Sequence, residues 1–166
     1  MKTVLVDYEK CVSCHTCELA CAVSHSNAGS LAGAVLSGET PEKRIHVQTS
    51  GGARFPMQCR HCSDAPCMKA CISGALQRDE ETRAVICDSN KCIGCWMCVM
   101  TCPFGAVTAG RTHTALKCDL CIETGSPACA AACPTHAISW GESDDFAKSR
   151  QKNYIVNFLN GGEEQA

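Results

Sequence analysis

The chain has 166 residues, 17 of them cysteine, and a formal net charge of −2. Leu, Ile, Val and Phe together number only 29. In a highly charged chain that inventory signals disorder, but near-neutral charge points to a folded chain whose core is completed by disulfides or metal. The same balance excludes nucleic acid as the main partner, because no basic excess stands ready to neutralise phosphates. No apolar run approaches the length of a membrane span. Residues 1–7 show neither a secretory segment nor a twin-arginine pair, so the expected compartment is the cytoplasm, an export signal on a partner subunit being the alternative. A reducing compartment favours metal-bound or catalytic thiols over disulfides.

In chain order, Thr3-Val4-Leu5-Val6 reads as a short strand that feeds a first cysteine quartet, Cys11, Cys14, Cys17 and Cys21. Residues 24–43 and 49–54, rich in Gly, Ser and Ala, read as loop or insertion, with a strand at Arg44–Gln48 between them. The second quartet is Cys59, Cys62, Cys67 and Cys71. A strand at Ala84–Cys87 leads to the third, Cys92, Cys95, Cys98 and Cys102, followed by Pro103. After a strand at Ala106–Thr108 comes the fourth, Cys118, Cys121, Cys129 and Cys133, followed by Pro134, and then a strand at Ala137–Ser139. Short helical turns are expected to carry the third and fourth cysteine of each quartet. Ser143 caps a C-terminal helix with Asp144 and Asp145 in its first turn. Phe146, Tyr154, Ile155, Phe158 and Leu159 recur in it at helical spacing, and Gly161-Gly162 stops it. That helix either covers the body of the chain or docks a partner subunit.

Three close thiols and a fourth set off by three residues, then Pro, is the bacterial ferredoxin run for a [4Fe–4S] cluster. Cys-x-x-Cys turns wrap the chain round the cube, and in two-cluster ferredoxins the fourth cysteine ligates the neighbouring cluster. Quartets should then occur in even numbers, and the sixteen cysteines of four quartets suffice for four [4Fe–4S] clusters. Structural zinc joins two Cys-x-x-Cys pairs across a longer loop, which fits four quartets poorly, and an odd cysteine count with this tight spacing argues against disulfides. Cys21 and Cys71 lack the following Pro, a departure that softens the turn more than it affects ligation.

The chain repeats itself. Asp7 to Cys21 matches Asp88 to Cys102 at an offset of 81 residues, and Pro66–Cys71 matches Pro127–Cys133, giving an A-B-A′-B′ order. Cys87 falls opposite Val6, so the ordinary role of a small apolar strand residue is expected for it, ahead of a redox or ligand role. His15, His25, His46, His61, His113 and His136 are scattered; His61 and His136, beside cysteines, are expected to supply loop hydrogen bonds. Lys117 is either a solvated loop lysine or a positive charge that raises a cluster's potential. No phosphate-binding Gly loop or Rossmann fingerprint occurs, so a flavin or nicotinamide would sit on another chain.

Arg60-His61-Cys62 through Ala65-Pro66-Cys67, Cys102-Pro103-Phe104-Gly105-Ala106 and Lys117-Cys118-Asp119-Leu120-Cys121 resemble the four-cluster iron–sulfur subunits of anaerobic oxidoreductases. These serve carbon monoxide dehydrogenase, formate dehydrogenase, formate hydrogenlyase and dimethyl sulfoxide reductase-type molybdoenzymes. The resemblance covers about residues 3–140. It implies an α+β fold of two ferredoxin-like modules in one body, loop-rich, with a C-terminal helix. The modules would be residues 1–23 plus 105–142, and residues 55–104, with 24–54 as an insertion holding one strand and 143–166 as helix and tail. It also implies nested ligation. One cluster takes Cys11, Cys14, Cys17 and Cys133, and its neighbour takes Cys118, Cys121, Cys129 and Cys21. The other pair takes Cys59, Cys62, Cys67 and Cys102, and Cys92, Cys95, Cys98 and Cys71. Spacing alone leaves pairing of adjacent quartets open.

The function expected is that of a non-catalytic subunit relaying single electrons between a catalytic oxidoreductase and a further electron carrier. Carbon monoxide dehydrogenase is the favoured partner, from the likeness of Val4–Cys21, then formate dehydrogenase or hydrogenase. Self-association into a filament through the tail helix is a related possibility. The alternative of another class is a cluster-binding maturation or scaffold protein.

Overall fold

The computed structural model describes residues 2–159, and among them every β-strand finds one partner, in four separate two-stranded antiparallel sheets. Strand β1 (Lys2–Val6) leads through a 3-10 turn at Tyr8–Lys10 into the first cysteine loop and helix α1 (Thr16–Ser24). Helix α2 (Leu31–Leu36) and the hairpin β2 (His46–Ser50) and β3 (Ala53–Met57) follow. Next come α3 (Pro66–Lys69), β4 (Leu76–Arg78), β5 (Val85–Cys87) and α4 (Met97–Thr101). The chain goes on through β6 (Val107–Ala109), β7 (Ala115–Lys117), α5 (Ala128–Ala131), β8 (Ile138–Glu142) and α6 (Ser143–Leu159).

Three of the sheets join neighbours in sequence: β2 with β3, β4 with β5, β6 with β7. The fourth joins the two ends. β1 pairs with β8 so that Val4 faces Trp140 and Val6 faces Ile138, which brings the first and last cysteine loops to one place. A two-stranded sheet is marginal by itself, so each must rest on something else. Two buried clusters supply that. The first gathers Val4, Cys17, Cys21, Ile45, Leu120, Cys129, Cys133 and Ile138, with Cys11 and Cys118 against it. The second gathers Cys67, Leu76, Val85, Cys98, Val107 and Ala115, with Cys71, Cys87, Cys92 and Cys102 against it.

The segments 24–43 and 49–54, expected as loop, are partly ordered. Ser30 caps α2, its hydroxyl accepting from the Gly33 N–H at 3.2 Å. Gly51 and Gly52 take φ of 56° and 84° between the paired residues Ser50 and Ala53. That two-residue turn needs left-handed backbone and matches the strand twist, so the Gly pair makes a hairpin where composition suggests slack. The strand expected at Arg44–Gln48 starts and ends two residues later in consequence. The third cysteine of each quartet sits on a helix, as expected, but only α1 also holds the fourth: Cys71, Cys102 and Cys133 follow the last turns of α3, α4 and α5. These three helices run four or five residues, too short to reach the next cysteine.

Helix α6 forms over the expected span and buries no residue. Arg150 ties it to the body, donating to Asp7 at 3.0 Å and Glu9 at 2.9 Å, while Tyr154, Ile155, Phe158 and Leu159 stay exposed. The Gly161-Gly162 stop lies outside the described residues. No helix among the described residues is long and apolar enough to cross a membrane.

The internal repeat reappears in the backbone. Ser13 and Gly94 are both left-handed, as are His15 and Trp96, each pair 81 residues apart. Gly94 has no freedom to change: a Cβ there would lie 2.5 Å from the His113 carbonyl, at φ +68°. Gly94→Ala is expected to cost about 1–3 kcal/mol, read as a lowered melting temperature of the cluster-loaded protein.

Candidate metal centre

The cysteine loops are local in sequence, but the thiols they present are grouped by tertiary structure. Cys11, Cys14, Cys17 and Cys133 line one cavity. Cys59, Cys62, Cys67 and Cys102 line a second. Cys71, Cys92, Cys95 and Cys98 line a third, which Cys87 also borders. Cys129 has Cys118, Cys21, Cys121 and Cys17 as its electrostatic neighbours, the first three belonging to the remaining expected group. Twelve of the sixteen quartet cysteines therefore fall into three groups, each made of three thiols from one loop and one from a distant loop.

The thiols are held as hydrogen-bond acceptors. The backbone N–H of Arg44 donates to Cys21 Sγ at 3.2 Å. Those of His61, Ala106, Ala115 and Leu120 donate at 3.4 Å to Cys59, Cys102, Cys92 and Cys118. Several thiols are unsuited to ionise alone. Burial pushes Cys17 up to about 11 and Cys118 up to about 12. Burial and the crowd of neighbouring thiols push Cys129 beyond the ordinary thiol range. A metal must replace these protons, so loading releases them. Cys14 differs: it is exposed, and the Thr16 hydroxyl lowers it by donating to its sulfur at 3.4 Å.

Fit to an anionic iron–sulfur group can be judged from atoms left without protein partners. His61 Nε2 and Ser13 Oγ, both inside cysteine loops, are buried and make no hydrogen bond. Lys117 is 3 % exposed at the end of β7, which disposes of the solvated-loop reading for it. Among the described residues its ammonium donates to the carbonyls of Val85 and Cys118 alone. Donor-rich, cation-bearing walls round four-thiol groups suit a negatively charged cluster, whose sulfides and thiolates accept hydrogen bonds. Cys87 occupies its expected strand position in β5, burial pushing it up to about 12.

His61 supplies a loop hydrogen bond as expected, its Nδ1 accepting the Val85 N–H at 3.0 Å. Another arrangement was not foreseen. His25 donates from Nδ1 to the Cys21 carbonyl at 2.7 Å and from Nε2 to Asp119 at 3.2 Å, and the Arg44 guanidinium donates to the same carboxylate. Burial disfavours charge on both groups. The pair nonetheless holds His25 protonated up to about 10, and the His25 bond and Arg44 charge keep Asp119 well below the usual carboxylate range. His25, Asp119 and Cys121 bring donor atoms within 4.8 Å of one another. With Arg44 and His25 already on the carboxylate, that group is an ion-pair network bracing Cys21 and Cys121. Glu18, buried on α1, accepts from Lys43 at 2.6 Å and from the Val47 N–H at 2.6 Å, tying the first cysteine helix to β2. Only its place one residue after Cys17 hinted at this, and nothing in the sequence joins positions 25, 44 and 119.

Small paired strands, cysteine loops and helical turns that deliver thiols in fours define a ferredoxin-like iron–sulfur protein. The 4Fe-4S dicluster domain matches residues 52–143, more than half of the chain, and the chain belongs to that family of 4Fe-4S electron-transfer proteins. It is 41 % identical over 92 residues to an iron-sulfur protein of Rhodospirillum rubrum, covering 55 % of this chain and 47 % of that protein. It is 40 % identical over 97 residues to the electron transport protein HydN of Escherichia coli, covering 58 % of this chain and 53 % of HydN. Over 97 residues it is 33 % identical to the polyferredoxin-like subunit of an aliphatic sulfonate oxidoreductase from Pyrococcus furiosus, covering 58 % of this chain and 51 % of that subunit. The chain spans about half the length of these relatives.

Proposed function

We propose that this chain is a non-catalytic electron-transfer subunit that holds four [4Fe–4S] clusters in two ferredoxin-like modules. The observation that carries the reading is that three cavities are each lined by four quartet cysteines, three from one loop and the fourth from another. The two cores support nested ligation, the first holding cysteines from quartets one and four and the second from quartets two and three. Similarity to proteins named for electron transport and for an oxidoreductase subunit supports the same direction.

Bound clusters supply one-electron chemistry. The chain's residues do the rest: backbone N–H groups fix the sulfurs, the two cores bury six of the thiols, and Cys14 and Cys95 reach the surface. These two exposed cysteines are equivalent in the repeat, and they bring one four-thiol group of each module to where a partner exchanges electrons. The partner we favour is carbon monoxide dehydrogenase, then formate dehydrogenase or hydrogenase, with a second electron carrier beyond and the cytoplasm as the compartment. The apolar end of α6 is the surface we assign to such a subunit, ahead of self-association into a filament.

The test is anaerobic isolation of the native complex followed by removal of this chain. Reduction of the physiological acceptor should collapse and return when the loaded chain is added back. An undiminished rate without it would reassign the chain to cluster assembly or scaffolding.

A further inference from the structure

Lys117 has no carboxylate within 4 Å among the described residues, whose lysine ion pairs fall to Lys10, Lys43, Lys69 and Lys91. A buried ammonium held only by neutral carbonyls is costly unless negative charge lies close by. Its position says where that charge must be. One acceptor, Val85 O, belongs to the second core, and the other, Cys118 O at 3.0 Å, belongs to a residue packed on the first. The ammonium acts electrostatically on both Cys67 and Cys118, and Cys59, which lines the cavity that Cys67 lines, acts on Cys118 too. Lys117 thus stands at the seam between the modules, between the thiols of Cys59, Cys62, Cys67 and Cys102 and those of Cys118, Cys121, Cys129 and Cys21.

We infer that Lys117 is the shared counter-charge of the two inner clusters and raises both their reduction potentials, keeping the step between modules level. The inference rests on the four-cluster reading above. A cluster ligated by four thiolates is anionic and becomes more so on reduction, so a fixed positive charge beside it favours the reduced form. The interaction falls with distance, and the outer clusters, held by Cys11 and Cys92 with their groups, feel it less. One electron enters a cluster as one leaves its neighbour, and no bond is made or broken at the lysine.

The test is a potentiometric titration of the anaerobically purified, fully loaded protein followed by electron paramagnetic resonance, with iron and sulfide counted on each sample. Lys117→Met should keep four clusters while the midpoint potentials of two fall more than those of the other two. Lys117→Gln, which keeps a donor and loses only the charge, should shift the same two and covers a loading failure in the first variant. Four retained clusters with unmoved potentials, or an equal shift in all four, would overturn the role of Lys117. Fewer than four clusters in the unaltered protein would instead overturn the reading beneath it.

Discussion

Stripped of iron and sulfide, the chain is expected to unfold rather than persist as an empty shell. Among the described residues the buried core holds, besides Pro56 and Pro127, twenty apolar residues; seven are Ala and six are Cys, which leaves seven larger side chains. Each of those contributes about 1.5–3 kcal/mol on full burial, set against the cost of ordering the whole backbone. None of the four sheets exceeds two strands among the described residues, so no extended ladder makes up the difference. The six buried cysteines belong to the candidate ligand set, and removing the metal turns cross-links between distant loops into six isolated thiols. Far-UV circular dichroism and thermal unfolding should show loss of the cooperative transition after anaerobic chelation, and its return on reconstitution. An apoprotein melting within a few degrees of the loaded form would refute the coupling.

Paired cysteine substitutions should separate nested from adjacent ligation by iron count. The four clusters proposed would hold about 16 irons per chain. Cys133→Ala and Cys14→Ala should each reduce that to about 12. The double variant should stay at about 12, since the nested scheme puts both thiols on one cluster. Combining Cys14→Ala with Cys102→Ala, which line different cavities, should bring it down to about 8. Adjacent pairing makes a different prediction: Cys14 and Cys71 would share a cluster, and that double variant would be the one to stop at about 12. The expected effects are large because loss of one ligand in a crowded, buried group leaves an iron without its fourth bond and a thiol without its charge partner.

Much of the chemistry was legible in the one-dimensional pattern, and much of the architecture was not. Cysteine spacing depends on local backbone geometry, so the four loops, the helical turns after them and the A-B-A′-B′ order could be read directly. Gly51-Gly52 was equally local: two glycines between His46-Val47-Gln48 and Phe55 are a hairpin signal, masked by a composition that suggested loop. Strands β4 and β7 were missed: each is three residues long and mixes polar with apolar side chains, Leu76-Gln77-Arg78 and Ala115-Leu116-Lys117, without the β-branched run that marks Val85-Ile86. Helix α6 was foreseen from its acidic first turn and spacing, with Ser143, read as its cap, standing instead as its first helical residue; that its apolar end would stay exposed was not foreseen, since burial depends on what the rest of the fold offers.

The sequence by itself determined which atoms are offered: sixteen cysteines in four local loops, one spare in a strand, and too few large apolar side chains to fold without help. Only the tertiary structure decided which thiols meet. Pairing β1 with β8 closes the chain on itself and sets Cys133 beside Cys11, Cys14 and Cys17, over a separation no spacing rule encodes. It also decided the charges. Lys117 reads equally as a solvated loop lysine or a charge beside a cluster until its burial at the end of β7, and His25, Arg44 and Asp119 become one network only when α1 and the last cysteine loop pack together. Local geometry follows from neighbours in sequence; electrostatics at a metal centre follows from neighbours in space.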